Sequence, residues 1–166
     1  SSPMTAKDVL DADAPHVILA TGATWRRDGV GRYHSRPIPG NGNIFTPDDL
    51  MAGKLPTGKV IIYDDDHYYM GGVLAELLAT NGCEVTIVTP APTISAWTEY
   101  TLEQERIYKR LLGFNVTLLP HHALASFSPT TATISQTFTN AESTLACDAI
   151  VMVTDRIPND ALYHEL

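Results

Sequence analysis

Three consecutive aspartates followed by a histidine, residues 64–67, form the most chemically distinctive stretch of the sequence. They come directly after the apolar run Lys59-Val60-Ile61-Ile62-Tyr63, which is typical of a buried strand, and shortly before Gly71 and Gly72. Carboxylates and imidazoles can ligate a metal ion, and a carboxylate can also accept hydrogen bonds from the free N–H groups that begin a helix. Which of these two roles residues 64–67 can play depends on the secondary-structure elements that position them.

Those elements form the clearest structural unit in the chain. Small and apolar residues at 71–79 predict a helix, and Gly82 supplies its stop. The next apolar run, residues 84–88, predicts a second strand. Strand, loop, helix and strand within about 30 residues is the signature of a βαβ unit, the arrangement that binds dinucleotides when its loop is rich in glycine.

The loop of this unit departs from the dinucleotide pattern. Gly71 occupies the place of the last fingerprint glycine, but the earlier glycines are absent and three acids stand in the loop. Two like charges about 4 Å apart repel by roughly 1 kcal/mol in water and by more in a partly buried site, so the acids oppose a pyrophosphate. Thr89-Pro90 also follows the second strand, where an acidic residue usually binds the ribose hydroxyls. The sequence therefore predicts the fold without its usual ligand, with a degenerate nucleotide loop made of Asp64, Asp65, Asp66, Gly71 and Gly72.

Three alternatives for the acidic loop stay open. One carboxylate can cap the helix while the others are solvated. Asp64, Asp66 and His67 can ligate a metal, completed by His121 and His122 if a third strand brings them near. A phosphate can also bind the amides of Gly71 and Gly72 with the aspartates turned outward. We assign no metal site, because one loop supplies too few ligands. We also assign no catalytic residue, because no nucleophile–base pair or G-x-S-x-G motif is present.

The remaining pattern predicts one α/β domain, Rossmann-like and three-layered, with a central parallel sheet and a small antiparallel β-meander. A short helix follows Thr46-Pro47 within an irregular stretch that runs from residue 23 to residue 58. Strands are expected at residues 16–22, 59–63, 84–88, 116–119, 123–127, 131–138, 143–146 and 149–154, and helices at 71–79, 98–112 and from 160 onward.

The charge and composition of the sequence exclude several classes of binding partner. The net charge of −8 and the absence of a basic patch argue against nucleic acid and anionic membranes. No apolar run reaches the roughly 20 residues that a membrane span needs. Cys83 and Cys147 form no CxxC motif and are expected as free thiols in a reducing compartment, which indicates the cytoplasm.

Several stretches, in order, resemble one family. They are the His16-Val-Ile-Leu-Ala-Thr-Gly-Ala23 run, the segment from Thr24-Trp25 to Gly29, Arg36-Pro-Ile-Pro-Gly40, the phrase from Tyr63 to Gly72 and the closing segment from Thr154 to Leu162. Together they resemble the C-terminal region of the trimethylamine dehydrogenase-like branch of the NADH:flavin oxidoreductases, a group that also holds 2,4-dienoyl-CoA reductase and histamine dehydrogenase. The match covers nearly the whole chain.

The resemblance implies a longer parent enzyme that acts on small amines. Its N-terminal TIM barrel would carry FMN and a 4Fe-4S cluster, and a domain that holds ADP or FAD would follow, with an NAD(H)-type domain inserted in it. Residues 23–148 would be the inserted domain, and residues 1–22 and 149–166 would be segments of the host domain. This chain is then an excised piece that holds no cofactor of its own. Its partners would be the rest of the parent chain and an electron transfer flavoprotein.

Three functions follow as hypotheses. The first is a degenerate nucleotide-binding scaffold without chemistry of its own. The second is an NAD(P)H-binding domain with a modified phosphate loop. The third is an interaction module that docks the host domain or an electron carrier through an exposed apolar patch, with Trp25, Phe45 and the end of the final helix as candidates.

Overall fold

The computed structural model describes residues 4–166. Their contacts divide them into two compact units, Trp25–Asp155 and a smaller unit made of residues up to Thr24 together with Arg156–Leu166. Among the described residues, no helix combines the length and the apolar character needed to cross a membrane.

A five-stranded parallel sheet forms the centre of the larger unit. Its order is β2 (Ile44–Phe45), β9 (Ala149–Val153), β3 (Lys59–Asp64), β4 (Glu84–Val88) and β5 (Thr117–Leu119). Val60 of β3 aligns with Val85 on one side and with Ala149 on the other. Both faces of β3 and β9 are covered, which explains why these strands read as continuous apolar runs without alternation.

Helices cover one face of this sheet. They are α2 (Pro47–Met51), α3 (Tyr69–Thr80), a short 3₁₀ helix (Ala96–Glu99) and α4 (Gln104–Gly113). Leu74 and Leu78 of α3 pack with Ile62 and Leu111 in the core on this side. The single helix expected at 98–112 is wrong. Leu102 has a φ of 60°, and an α-helix cannot continue through a left-handed residue, so the chain breaks into two short helices.

The antiparallel meander covers the other face. It consists of β6 (His122–Phe127), β7 (Thr131–Gln136) and β8 (Glu142–Ala146), paired in that order. Leu124 and Ile134 of the meander pack with Ile61 and Tyr63 of β3. The predicted α/β class, with a central parallel sheet and a small antiparallel meander, is therefore confirmed.

The smaller unit contains α1 (Ala6–Asp11), β10 (Arg156–Pro158) and α5 (Ala161–Glu165), and β10 pairs with β1 (Ala23–Trp25). The buried strand expected at residues 16–22 is wrong. Residues 16–22 form no strand, and Ile18 is 92% exposed. A buried strand needs a neighbouring strand for its backbone groups, and none pairs with this segment within residues 4–166.

The unit boundaries lie at 24/25 and 155/156, where the sequence had suggested 22/23 and 148/149. The difference at the second boundary comes from β9, which lies between β2 and β3 in the sheet of the larger unit. That the outer segments belong to a host domain stays a prediction.

Candidate functional site

The acidic loop, residues 64–67, begins at the end of β3, where the order in which successive strands are added to the sheet reverses. From β3 the chain runs through α3 to β4 on one side, while β9 lies on the other side of β3. In open α/β sheets, ligands bind at the carboxyl ends of the strands at such a switch point. The backbone N–H groups of Asp65 and Asp66 donate to the Val153 carbonyl of β9, at 2.8 and 3.1 Å. The loop is therefore tied down at the place where this fold would bind a nucleotide.

Asp64 fills the space in front of α3. Its side chain is fully buried, and its Oδ1 accepts the N–H of His67 at 3.0 Å. Its Oδ2 lies so close to Gly71 that a Cβ on that glycine would be 2.5 Å away from it. Burial raises the pKa of the Asp64 carboxyl to about 7, against the lowering effect of the bond from His67. A carboxyl that is readily protonated thus stands at the helix end.

Asp65 points away from the helix and into a second polar cluster. It is fully buried, its Oδ2 accepts the N–H of Tyr33 at 2.8 Å, and its Oδ1 lies 3.3 Å from Nε2 of His67. That distance fits an ion pair, but the angle does not make a hydrogen bond. Burial lowers the pKa of the nearby His34 imidazole, and the Asp65 charge opposes this effect. Burial likewise raises the pKa of the Tyr63 hydroxyl, with a further contribution from Asp65.

Several buried polar atoms at this edge of the sheet have no hydrogen-bond partner within the described protein. Buried polar atoms are nearly always paired, so their concentration in one region sets it apart from the rest of the fold. The atoms are His34 Nε2, Tyr63 OH, Asp64 Oδ2, Asp65 Oδ1, His67 Nε2, Ser95 Oγ and Thr154 Oγ1.

The backbone around the loop is also unusual. His67 and Ser95 have φ values of 65° and 50°, a left-handed conformation that costs free energy in residues other than glycine. Trp97 donates its N–H to the carbonyl of His67 at 3.0 Å, which joins the 3₁₀ helix to the loop. Gly72 lets Ser95 approach closely, because a Cβ there would lie 3.3 Å from the Ser95 hydroxyl.

The geometry separates the alternatives for the aspartates. A carboxylate at the helix end agrees with Asp64, although it accepts from His67, two residues before α3 begins. The same alternative expected Asp65 and Asp66 to be solvated. This is wrong for Asp65, which is fully buried, and Asp66 is half-buried. Aspartates turned outward from a phosphate site are likewise wrong for Asp64 and Asp65. Each of these two carboxyl groups accepts one bond, from His67 or from Tyr33, but keeps a second oxygen without a hydrogen-bond partner among the described residues, so the cost of burial is offset only in part.

The metal alternative gains no support from the geometry. Across residues 4–166, no group of three or more His, Cys, Asp and Glu side chains is arranged to hold a metal ion. His121 lies in the turn between β5 and β6, and His122 is the first residue of β6. There the His121 N–H bonds to the Ala91 carbonyl, and Nδ1 of His122 lies 2.7 Å from the Pro120 carbonyl.

Two candidates for an exposed apolar patch are also wrong. Trp25 and Phe45 are partly buried and pack against the helix-side core. At the end of the final helix, Tyr163 is 67% exposed and Leu166 is 45% exposed.

The structure adds residues that the sequence had not indicated. Gly31, Tyr33 and His34 come from the irregular stretch before α2, and Thr154 follows β9. The one sequence signal for the first group is the closely spaced pair Gly29 and Gly31, which indicates a close approach of the backbone to something else.

Comparison with known proteins gives the chain its relatives. Residues 45–142 match the model of the OYE-like second alpha/beta domain. The dimethylamine dehydrogenase of Hyphomicrobium sp. (strain x) is 31% identical over 187 residues, which cover 99% of this chain and 25% of that protein.

Solved structures agree. The 6-hydroxypseudooxynicotine amine oxidase of Pseudomonas geniculata N1 superposes with a TM-score of 0.96 at 43% identity, over 99% of this chain and 25% of that one. The histamine dehydrogenase of Rhizobium sp. 4-9 superposes with a TM-score of 0.95 at 40% identity, over 99% and 26%. The chain thus spans about a quarter of the length of these relatives. Since the family model matches more than half of the chain, the chain belongs to the family of OYE-like second alpha/beta domains, in the trimethylamine dehydrogenase-like branch of the NADH:flavin oxidoreductases.

Proposed function

We propose that this chain is part of a flavin- and iron–sulfur-dependent oxidoreductase that acts on small amines. Within it, the larger unit is a Rossmann-like nucleotide-binding scaffold that no longer binds a nucleotide and has no chemistry of its own. The relatives named for dimethylamine, histamine and 6-hydroxypseudooxynicotine support the amine class. The acidic loop supports the loss of the nucleotide.

The position of Asp64 carries this proposal. A dinucleotide phosphate binds the free N–H groups and the partial positive charge at the start of the helix. Here the Asp64 carboxyl occupies that approach, pressed against Gly71 and bonded to His67. A phosphate would have to displace a buried side chain and face Asp65 and Asp66 as well.

The ribose position supports the same conclusion. The residue after β4 is Thr89, whose N–H bonds to the Leu119 carbonyl at 3.1 Å and whose hydroxyl accepts the N–H of Ala91 at 3.2 Å. Thr89 is 1% exposed, so it has no free group to offer a ribose. Neither the phosphate nor the ribose of a dinucleotide finds its usual partner.

The cofactors of the parent would be held outside this chain. A 4Fe-4S cluster needs four cysteine thiolates, and the sequence has only Cys83 and Cys147. Both are free, and burial raises the pKa of each thiol. We place FMN and the cluster in a barrel domain and ADP or FAD in the host domain, and we assign the protein to the cytoplasm, where free thiols persist.

The smaller unit supports a docking role toward the rest of the parent chain. A groove of about 410 Å³ lies within it, lined mainly by apolar side chains that include Val9, Val17, Leu19 and Leu162. Ile18 beside it is 92% exposed. A single chain rarely leaves such a surface in water, and relatives four times as long have chain available to cover it. An electron transfer flavoprotein is the further partner we propose for the whole enzyme.

Titration of the 166-residue chain with NADH, NADPH and ADP tests the scaffold proposal. We expect no binding tighter than about 1 mM, or about −4 kcal/mol, by calorimetry. Micromolar binding of NADH would instead favour the modified phosphate loop. In that case Asp64→Gly should tighten binding, whereas the charge-matched control Glu142→Gln, on the exposed strand β8, should not.

A further inference from the structure

Residues 31–34, here called the strap, lie against the carboxyl end of β3 and are held there by Asp65. The N–H of Tyr33 donates to Oδ2 of Asp65 at 2.8 Å. The backbone of Gly31 approaches the same oxygen so closely that a Cβ would lie 2.4 Å from it and 3.2 Å from Cβ of Thr154. Asp65 and Thr154 follow the adjacent strands β3 and β9, so the strap touches both sides of the switch point.

The strap has a defined shape of its own. The N–H of Gly31 donates to the carbonyl of His34 at 3.0 Å, which closes the turn. Below the turn, the Asp28 carbonyl accepts the N–H of Ile38 at 2.8 Å. Its tip reaches the 3₁₀ helix, where the Arg32 guanidinium lies 4.7 Å from the centre of the Trp97 ring. Three contacts therefore hold the strap in place: the Gly31–His34 bond, the Asp28–Ile38 bond beside it and the Arg32–Trp97 contact.

Its position coincides with the ligand crevice of this class of fold. A dinucleotide would lie outside the carboxyl ends of β3 and β9, where the strap contacts Asp65 and Thr154. Asp65 itself resembles a bound anion, since its oxygen accepts a backbone N–H from a glycine-containing turn.

We propose that the strap is the built-in occupant of this crevice, and that the contact between Asp65 and the strap excludes adenine dinucleotides from it together with Asp64 at the helix end. This inference rests on the proposed scaffold function, and it names a contact that keeps nucleotides out of the scaffold. Any ligand of the crevice would have to release the strap first, so ligand binding and strap opening are coupled.

Two variants release the strap by different routes. Asp65→Asn removes the charge that holds the Tyr33 N–H, and Tyr33→Pro removes the N–H while leaving the buried Asp65 in place. In both, we expect amide exchange at Gly31 to become about 10- to 100-fold faster than in the wild type. Trp97 emission should also change as Arg32 leaves its ring, measured in a Trp25→Phe background. Glu142→Gln is the charge-matched control and should leave both signals in place. Unchanged exchange at Gly31 in a folded Tyr33→Pro variant would overturn the role of the strap contact.

Nucleotide titration then tests exclusion. In the double variant Asp64→Asn/Asp65→Asn, where the strap is loosened and the helix end is neutral, we expect ADP and NADH to bind at least about 10-fold more tightly than the limit of about 1 mM expected for the wild type. A released strap without any binding would overturn the inference. So would binding in Asp64→Asn alone while the Gly31 amide stays protected. Neither of these two outcomes would contradict the proposed scaffold function. Micromolar NADH binding to the wild type would contradict the scaffold function but would not show that the strap contact is absent.

Discussion

Oδ2 of Asp64 and the α-carbon of Gly71 are a complementary pair, since a Cβ on Gly71 would lie 2.5 Å from that oxygen and 2.7 Å from the carboxyl carbon. In a dinucleotide-binding unit, a glycine at this place serves close packing near the phosphate loop. Here the glycine makes room for an acid of the same chain. The glycine is therefore needed even though the proposed scaffold binds no ligand.

Gly71→Ala is expected to destabilise the larger unit by about 1–3 kcal/mol, because the added methyl overlaps the buried Asp64 carboxyl. Urea denaturation measures the loss. Gly113→Ala is the matched control, because nothing lies within 4 Å of a Cβ there, and it should be neutral or stabilising by up to about 1 kcal/mol. If the overlap is the cause, Asp64→Ala should recover part of the loss in the double variant. Strict additivity of the two changes would contradict the pairing.

Asp64→Asn should stabilise the protein at alkaline pH. The folded pKa is raised from 3.8 to about 7, so the folded state binds the proton more tightly and wild-type stability falls as pH rises between these values. Asparagine keeps the acceptor for the His67 N–H and never ionises. We expect the variant to exceed the wild type by up to about 4 kcal/mol at pH 8 and to match it near pH 4. Thermal unfolding across this range checks the slope, and equal slopes in the two proteins would count against a buried neutral acid.

Asp49 should show the opposite pH dependence. The bond from Arg27 holds its pKa below the usual 3.8, and its carboxylate also accepts the N–H of Thr46 at 2.9 Å, before α2 begins. We expect Asp49→Asn to cost about 1–2 kcal/mol at neutral pH, because asparagine still has an oxygen for the Thr46 N–H but loses the ion pair with Arg27. Because the folded pKa is depressed, the difference should shrink as pH falls below 3.8. A difference that persists undiminished at pH 2 would show that the charge is not involved.

His34 should titrate below 6.5, since burial lowers its pKa. Asp65→Asn should release the strap that carries His34, and because burial has a larger effect on this pKa than the Asp65 charge, exposure of the ring should move its midpoint up toward 6.5. The ring signals in two-dimensional NMR spectra give both midpoints. Glu142→Gln should leave the His34 midpoint in place. A downward shift in Asp65→Asn would mean that the strap stays closed and that only the carboxylate charge has been lost.

The βαβ unit was readable from the sequence because local and long-range signals agree there. Strand β4 has the predicted bounds, and β3 and α3 differ from the predicted bounds by a few residues at most. Gly82, with a φ of 85°, ends the helix region as expected. The acidic loop could be located as well, because its acids are adjacent and follow a clear strand, and that it is a degenerate nucleotide loop stays a prediction.

What could not be read depends on partners distant in sequence. The Tyr33–Asp65 bond joins residues 32 positions apart, and the glycines and prolines around Tyr33 indicate an irregular loop without indicating its partner. The strand expected at residues 16–22 is absent because the local pattern was present but, within residues 4–166, its long-range partner was not. Its apolar pattern is genuine, but a pattern specifies a strand only where another strand pairs with it.

The late position of β9 in the chain has a consequence for folding. β3 gains its second neighbour only when residues 149–153 arrive, after the whole meander has been made. Until then one edge of this largely buried strand is unpaired and open to association with other chains. A fragment cut at residue 142, where the family match ends, would keep that edge permanently. Such a fragment should aggregate, whereas one that runs through Asp155 has what it needs to close the sheet.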